Sequence, residues 1–543
     1  MPNTHPLRKS ARGYLALVII LAFAFVLNAC AAPPPAGSPA SEPAAADATG
    51  APAPAQPAAS STLRVAMEAP VQLDPAFASS DSEIAILNAV YDYLVDVDEN
   101  NRLQPRLASS VVASEDGLSY TVELQPNATF HDGSPVTAAD VIYTFNRLRD
   151  PEAGLPTADL YSNIVDIAAP EGSDPATGTT VVFTLQAPDP FFQYNLSDNH
   201  ALIVKAGTED PTADFNGSGP FKVVNYSPED RMELVANDAY FIDGKPGVDN
   251  LEFIFFADQT AAVDALKGGQ VDLNMRMATP LYLSLQGEPG IVTSSIPTNG
   301  FDLVRLRADR EPGNDPRVIE AFKLATDRQA IFDTVTLGLG AVGNDSPIGP
   351  LYADYYSTDA VAPARDVAKA RELLAAAGYA DGLSLDLYVP ESGDRVALAE
   401  VLQQQWQEAG INVDIKSVPD SVYYGSDNPD QNWLGATLGI TGWGSRPYPQ
   451  FYLDVMLVCD AKWNESHFCD EELDQLAKTA GTTLDEQERM EAYKDIQRIL
   501  VERGPIIVPY FFAQLGAISD RFENFNMKAF AGRTDLAAIT PAQ

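Results

Sequence analysis

The chain has 543 residues, and 75 acidic side chains against 35 basic ones give a formal net charge of −40. So large an acidic excess excludes nucleic acid and anionic membrane surfaces as partners, because both are held by basic faces. The length is more than one hydrophobic core organises, so two or three lobes are expected.

Arg8, Lys9 and Arg12 precede an apolar run from Tyr14 to Leu27 that stops at Cys30. That is the pattern of a signal peptide over residues 1–29, and the run is too short and too one-sided for a membrane span. Leu27-Asn28-Ala29-Cys30 resembles a lipobox, in which Cys30 is lipidated and becomes the mature N-terminus. Asn28 departs from the pattern, and a soluble secreted protein cut at another small residue is the alternative. Residues 30–62 are rich in Pro and Ala with almost no large apolar side chains. Such a segment cannot offset the entropy of folding and reads as a disordered tether. At about 3.1 Å per residue it reaches roughly 100 Å from a lipid surface.

Leu63-Arg64-Val65-Ala66-Met67 reads as a buried first strand, and Val122 and Leu124, then Val181, Phe183 and Leu185, alternate as half-buried strands do. Between them, Thr137 and Asp140 form a capping-box signal ahead of a helix whose Val141, Phe145 and Leu148 share a face. Val367, Ala370, Leu374 and Ala377 recur at helical spacing up to Gly378, as do Val396, Ala399, Leu402 and Trp406 up to Gly410. Both glycines read as helix stops. Alternating strands follow each helix, Leu383, Leu385 and Leu387 after the first and Ile411, Val413 and Ile415 after the second, which is an α/β arrangement. Thr483 with Glu486 signals a last helix bearing Met490, Tyr493, Ile496 and Leu500, which ends near Gly504.

Signals for chemistry are weak. His5, His131, His200 and His467 are scattered without metal-binding spacing, and His131 beside Asp132-Gly133 reads as a turn residue. Gly217-Ser218-Gly219-Pro220 lacks the spacing of a hydrolase nucleophile elbow, so Ser218 reads as structural. Among 75 acidic residues any carboxylate pair is expected by chance. Cys459 and Cys469 lie close together in a chain bound for an oxidising compartment, which favours a disulfide; a metal pair with His467 is the alternative. No catalytic residue, metal ligand set or cofactor site is assigned.

The stretch GLSYTVELQPNATFHDGSPVTAADVIYTFNR from Gly117 resembles the signature region of the family-5 bacterial extracellular solute-binding proteins, which serve oligopeptide, dipeptide and nickel ABC importers. The resemblance continues in LDPAFAS at Leu73, GSGPFKVVNY at Gly217, ALKGGQVDL at Ala265 and DPRVIEAFKLATDRQAI at Asp315. It extends through AKARELLAAAGY at Ala368, LQQQWQEAGINVDI at Leu402 and PIIVPYF at Pro505, in family order over nearly the whole body. It implies an α/β, two-lobed periplasmic-binding-protein-like fold (class II, cluster C type) with an additional inserted domain. Lobe I would comprise residues 63–95, 200–297 and 505–543, the inserted domain 96–199, and lobe III 298–504. The chain would cross between the major lobes near Pro297–Asn299 and Pro505–Pro509.

Thr441-Gly442-Trp443-Gly444-Ser445-Arg446-Pro447-Tyr448-Pro449 looks like the family's ligand-contacting loop. Peptide binders of the family typically place an aspartate three residues after the tryptophan, to pair with the ligand's α-amino group. Arg446 stands there instead, which implies either a ligand with an anionic group or an arginine turned toward an acidic neighbour. Trp443 reads as ligand contact or as core; Gly442 and Gly444 as places where main chain approaches the ligand. Tyr448, Ser79, Asp81, Asn299 and Phe512 complete the ligand-binding set implied by the resemblance. Some dipeptide-binding relatives carry a disulfide where Cys459 and Cys469 stand.

The expected function is capture of a peptide or another small polar solute, anionic ones included, by hinge closure, and its delivery to ABC permease subunits. No cofactor is expected, the chain is expected to be a monomer, and its place is extracytoplasmic, anchored to the membrane through Cys30. A lipid-anchored secreted hydrolase, or a receptor that signals or assists folding, are the alternatives.

Overall fold

Thr62–Met67 forms a strand whose backbone is paired along both edges by parallel neighbours, Asn250–Phe255 on one side and Leu273–Asn274 on the other, with Leu63, Val65 and Ala66 buried. The computed structural model to which it belongs describes residues 60–155, 157–425 and 433–543. The expected signal peptide, Cys30 and nearly all of the tether lie outside the described residues. No helix among the described residues is long and apolar enough to cross a membrane.

A twelve-stranded sheet among the described residues organises the molecule. From one edge ten of its strands run in the order Ile411–Val418, Leu383–Pro390, Leu438–Trp443, Ile291–Leu306, Tyr510–Ser519, Leu273–Asn274, Thr62–Met67, Asn250–Phe255, Arg231–Ala236 and Phe221–Ser227, while the short strands Ala341–Val342 and Ile506–Ile507 pair beside this path with Tyr510–Ser519 and Ile291–Leu306. Ile291–Leu306 and Tyr510–Ser519 run antiparallel and are the two crossing strands, their register broken between Pro297 and Phe301. Before the second crossing, Ile506 and Ile507 already pair with Arg305 and Val304. The backbone hydrogen bonds of Ile506–Ile507 tie them to the half that carries Val304 and Arg305.

Apolar packing divides in the same way. Leu63, Val65, Leu251, Phe253 and Ile518 belong to one core, continuous with Val122, Phe145 and Phe183. Leu387, Leu402 and Trp406 form a second core, and Phe301, Leu457, Tyr493 and Leu500 a third. A four-stranded sheet of Ala108–Ala113, Ser119–Leu124, Thr180–Leu185 and Ile164–Ala168 carries the helix Ala138–Leu148, with Phe145 edge-on to Phe183 at 5.1 Å. This is an α/β, two-lobed binding-protein fold with an inserted domain.

Local signals resolve in detail. Gly378 (φ +98°) and Gly410 (φ +87°) follow Ala377 and Ala409 in the left-handed region, where glycine ends a helix without a Cβ penalty. The Asp140 carboxylate accepts from the Thr137 N–H (2.7 Å) and hydroxyl (2.9 Å). The last helix is capped differently from expectation. It spans Glu486–Arg503 with Asp485 as cap, accepting from the Glu488 N–H at 3.1 Å, while the Thr483 hydroxyl donates to the Glu488 side chain. A carboxylate adjoining the first turn outcompetes a hydroxyl two residues earlier for the exposed N–H groups. His131 faces the carbonyls of Phe215 (3.4 Å) and Gly219 (3.0 Å) and not its own turn. A Cβ on Gly217 would lie 1.9 Å from the Val90 carbonyl oxygen, so the Gly217–Gly219 segment packs backbone to backbone. Ser218 donates to Asp92 within that contact at 3.4 Å. Cys459 and Cys469 are joined as a disulfide.

Candidate ligand-binding site

The strand Leu438–Trp443 lies against the first crossing strand, with Trp443 opposite Phe301 and Gly442 opposite Asp302. This pairing delivers the segment after Trp443 to the register break at Pro297–Phe301. There the Asn299 backbone N–H donates to Ser445 Oγ (3.1 Å) and its side-chain amide to the Arg446 carbonyl (3.3 Å). Tyr352 donates to the same Arg446 carbonyl at 2.7 Å, and the Tyr452 hydroxyl lies 2.7 Å from the Gly444 carbonyl and 3.0 Å from that of Asn299. Asn299 Oδ1 is buried and has no hydrogen-bond partner among the described residues. A Cβ on Gly300 would stand 2.9 Å from the Phe512 ring and 3.2 Å from the Trp443 carbonyl, so both crossings and the loop meet at one point.

Trp443 is 7% exposed and donates its indole N–H to Glu465 at 3.0 Å. Glu465 also accepts from the Thr441 hydroxyl (2.7 Å) and Arg305 Nε (3.2 Å). Burial pushes the Glu465 carboxyl up, and Arg305 opposes that. Behind Gly442 lies a second buried pair. A Cβ there would come 1.7 Å from the Arg395 guanidinium, which donates to Asp302 at 2.8 Å. Asp302 also accepts from Tyr510 (2.7 Å); burial raises its carboxyl and Arg395 counters. Glycine at 442 thus leaves room for a cation.

Arg446 donates to the Ser445 carbonyl (3.1 Å) and lies over the Phe451 ring at 4.5 Å. No carboxylate among the described residues pairs with it. Tyr448 turns the other way, stacked on Phe191 with centroids 4.8 Å apart and planes 10° apart, its hydroxyl 3.1 Å from Asn195 Oδ1. The Pro447 carbonyl accepts from the Asn101 side chain at 2.6 Å, so this end of the loop touches the inserted domain.

On the opposite half, Ser79 is spent on Glu83, donating its N–H at 2.9 Å. Burial would raise the Glu83 carboxyl, but the N–H groups of Ser79, Ser80 and Gln72 hold it lower. Asp81 accepts from Arg276 (2.7 Å) and lines a cavity of about 70 Å³ with Met67, Gln259 and Asn274. This cavity sits at the carboxyl ends of the parallel strands Thr62–Met67 and Leu273–Asn274, where α/β sheets bind ligands.

Of the residues singled out in the sequence, Asn299, Gly442, Trp443, Gly444, Arg446 and Phe512 gather at the crossings. Tyr448 faces the inserted domain, and Ser79 and Asp81 belong to the other half. Asp302, Arg305, Tyr352, Arg395, Tyr452 and Glu465 were missed; in sequence they are ordinary charged and aromatic residues, marked by no spacing. Among the described residues no group of three or more His, Cys, Asp or Glu is placed to hold a metal ion.

The described architecture matches known proteins along most of its length. Di/tripeptide-binding protein 1 of Pseudomonas aeruginosa is 28% identical over 477 residues, covering 80% of this chain and 86% of that protein. The glutathione-binding protein GsiB of Escherichia coli is 25% identical over 448 residues, with 80% and 86% covered. The solved structure of HbpA2 from Haemophilus parasuis superposes with a TM-score of 0.78 at 22% identity, covering 89% of this chain and all of that one, a likeness of fold. The model of the bacterial extracellular solute-binding proteins, family 5 Middle, matches residues 102–462. The chain belongs to the family-5 bacterial extracellular solute-binding proteins.

Proposed function

We propose that this chain is the solute-capturing component of a peptide-type ABC importer: it closes two lobes over a dipeptide-sized or other small polar solute and hands it, chemically unchanged, to permease subunits. One observation carries the reading. Two halves with separate cores are joined by two crossing strands, and the Gly442–Pro449 segment is hydrogen-bonded to the register break in the first of them. Dipeptide and glutathione, named for the relatives, are the ligand class to try first.

Within this reading, Gly442, Trp443, Gly444, Arg446, Asn299 and Phe512 line the ligand from the crossings, Asp81 and Ser79 from the opposite lobe, and Tyr448 secures the loop. Arg446, unpaired with any described carboxylate, receives an anionic group. The lobes follow the expected boundaries, except that Ile506–Ile507 go with lobe III. Residues 1–29 are the signal peptide, Cys30 carries lipid, and the chain between Cys30 and the strand that begins at Thr62 tethers a monomer outside the cytoplasm.

Mass spectrometry of small molecules that co-purify with the protein, followed by thermal-shift titration of each, tests this. Stabilisation with the ligand recovered intact supports capture. Hydrolysis of any peptide or glycan at the same site supports the hydrolase in its place.

A further inference from the structure

The loop closed by Cys459 and Cys469 drives one carboxylate into the interior. Glu465 is 1% exposed, and both of its oxygens are occupied: Oε1 by the Trp443 indole N–H, Oε2 by the Thr441 hydroxyl and Arg305 Nε. Thr441 and Trp443 are alternate residues of one strand and project to the same face. One carboxylate therefore fixes two same-face side chains of the strand that feeds the Gly444–Pro449 loop.

The loop is built to hold Glu465 still. The Asn464 side-chain amide donates to the carbonyls of Val458 (3.1 Å) and Phe468 (2.8 Å), Ser466 donates to Asn464 (2.9 Å), and the Ala308 N–H donates to the Ser466 carbonyl (2.8 Å). The Cys459 N–H donates to Asp474 at 3.0 Å, and the disulfide closes the span. Arg305 spends its other donors on the Ala436 and Trp433 carbonyls. Packing alone does not call for this charge. Trp443 already lies among Trp433, Trp463 and Tyr452, with ring centroids 6.1–6.5 Å away, and a buried ion pair is weak support for stability beside an apolar replacement. What the carboxylate adds is direction, since it accepts from the indole N–H at a fixed place and so sets the rotation of the ring.

We propose that Glu465 is a positioning residue for the ligand-facing edge of Trp443, and that the Cys459–Cys469 closure keeps it in place. The proposal rests on the reading of the Gly442–Pro449 segment as ligand-contacting. Reduction of the disulfide then loosens the ligand contact from behind, without touching a residue that meets the ligand.

The test uses Glu465→Gln, Trp443→Phe, the double variant, and a protein with both cysteines changed to serine. Amide hydrogen exchange over residues 441–446 and acrylamide quenching of indole emission are read without ligand; affinity for dialanine and for glutathione is read by calorimetry. Glu465→Gln should speed exchange at 441–446 and weaken binding of the probe that wild type binds, each by about tenfold. In the Trp443→Phe background, which lacks the indole donor, its effect on affinity should fall below about twofold. Additive effects on affinity, or exchange that changes only in step with global unfolding, would overturn the proposal. If Glu465→Gln does not fold, the serine protein, with Glu465 intact, must show the same local exchange and quenching changes or the proposal fails. If wild type binds neither probe the ligand reading fails on its own, and hydrogen exchange then decides whether Glu465 positions Trp443.

Discussion

Phe191 and Phe192 are neighbours in sequence that serve different cores. Phe192 packs on Tyr120 (4.7 Å) and Phe183 (5.4 Å) inside the inserted domain. Phe191 is 2% exposed, but apart from Tyr194 its ring neighbours belong to the far half: Tyr448 stacked at 4.8 Å, Tyr355 at 6.3 Å, Tyr493 at 6.4 Å and the Arg489 guanidinium at 5.6 Å. Truncating it to alanine removes the burial of one aromatic side chain and one stacked pair from a contact between lobes. In a closed core the change would cost about 3–5 kcal/mol. At a contact that can part, separation relieves the cavity, leaving about 2–3 kcal/mol against the joined state. That lowers the joined-to-parted ratio by about 30- to 150-fold, and weakens ligand affinity by up to the same factor if only the joined state binds tightly. Small-angle scattering of ligand-free Phe191→Ala should show a larger radius of gyration than wild type, while urea unfolding shifts by less than about 1 kcal/mol. Unchanged scattering together with a lower unfolding midpoint would refute the argument, because Phe191 would then be an ordinary core residue.

Arg446→Asp should favour ligands with a free amine over anionic ones by at least about tenfold, measured by calorimetry with oppositely charged dipeptides; unchanged selectivity removes Arg446 from the site. Changing both Cys459 and Cys469 to serine should lower the unfolding free energy in urea by about 2–3 kcal/mol, the loop being short. Burial holds the Lys323 ammonium, opposed by Asp345, down to about 8 from an ordinary 10.5. Between those values the unfolded chain binds a proton that the folded one does not, so this group's contribution to stability rises with pH, by at most about 1.4 kcal/mol per unit. Lys323→Met should remove that rise from the pH dependence of urea midpoints, and an unaltered slope would place its origin elsewhere.

The sequence disclosed what its neighbours along the chain determine. The Ala138–Leu148 helix and the stops at Gly378 and Gly410 depend on contacts a few residues away, and each stands where local pattern puts it; strand Thr62–Met67 shows in its own apolar residues, although its partners Asn250–Phe255 and Leu273–Asn274 lie far along the chain. The last helix was legible as an apolar stripe but not at its start, because Thr483 and Asp485 are both good caps and only the backbone path selects between them. The site was half legible. Trp443 and Arg446 stand out as residue types on a glycine-bearing loop, but their directions do not. Arg446 is turned by Phe451, and Trp443 by Glu465, 22 residues on. Glu465 in turn depends on Arg305, 160 residues before it, and Arg395 on Asp302, 93 residues before it. Charged residues whose meaning comes from partners that distant look like surface in a chain with 75 acidic side chains.

A hinge in a continuous sheet has to bend where the ladder is already broken, because elsewhere bending would strip backbone hydrogen bonds from the crossing strands. The break lies between Pro297 and Phe301, and within it Asn299 spends its backbone N–H and side-chain amide on Ser445 and Arg446. A change of angle at Asn299 therefore moves the loop after Trp443, and a ligand that holds the loop resists the change of angle. If the loop contacts the ligand as proposed, coupling between occupancy and closure needs no relay through the lobes, since the register break and the loop share the same hydrogen bonds. Removing the amide with Asn299→Ala should for that reason loosen ligand affinity and the preferred lobe angle together, and a variant that lost one without the other would separate two things the geometry joins.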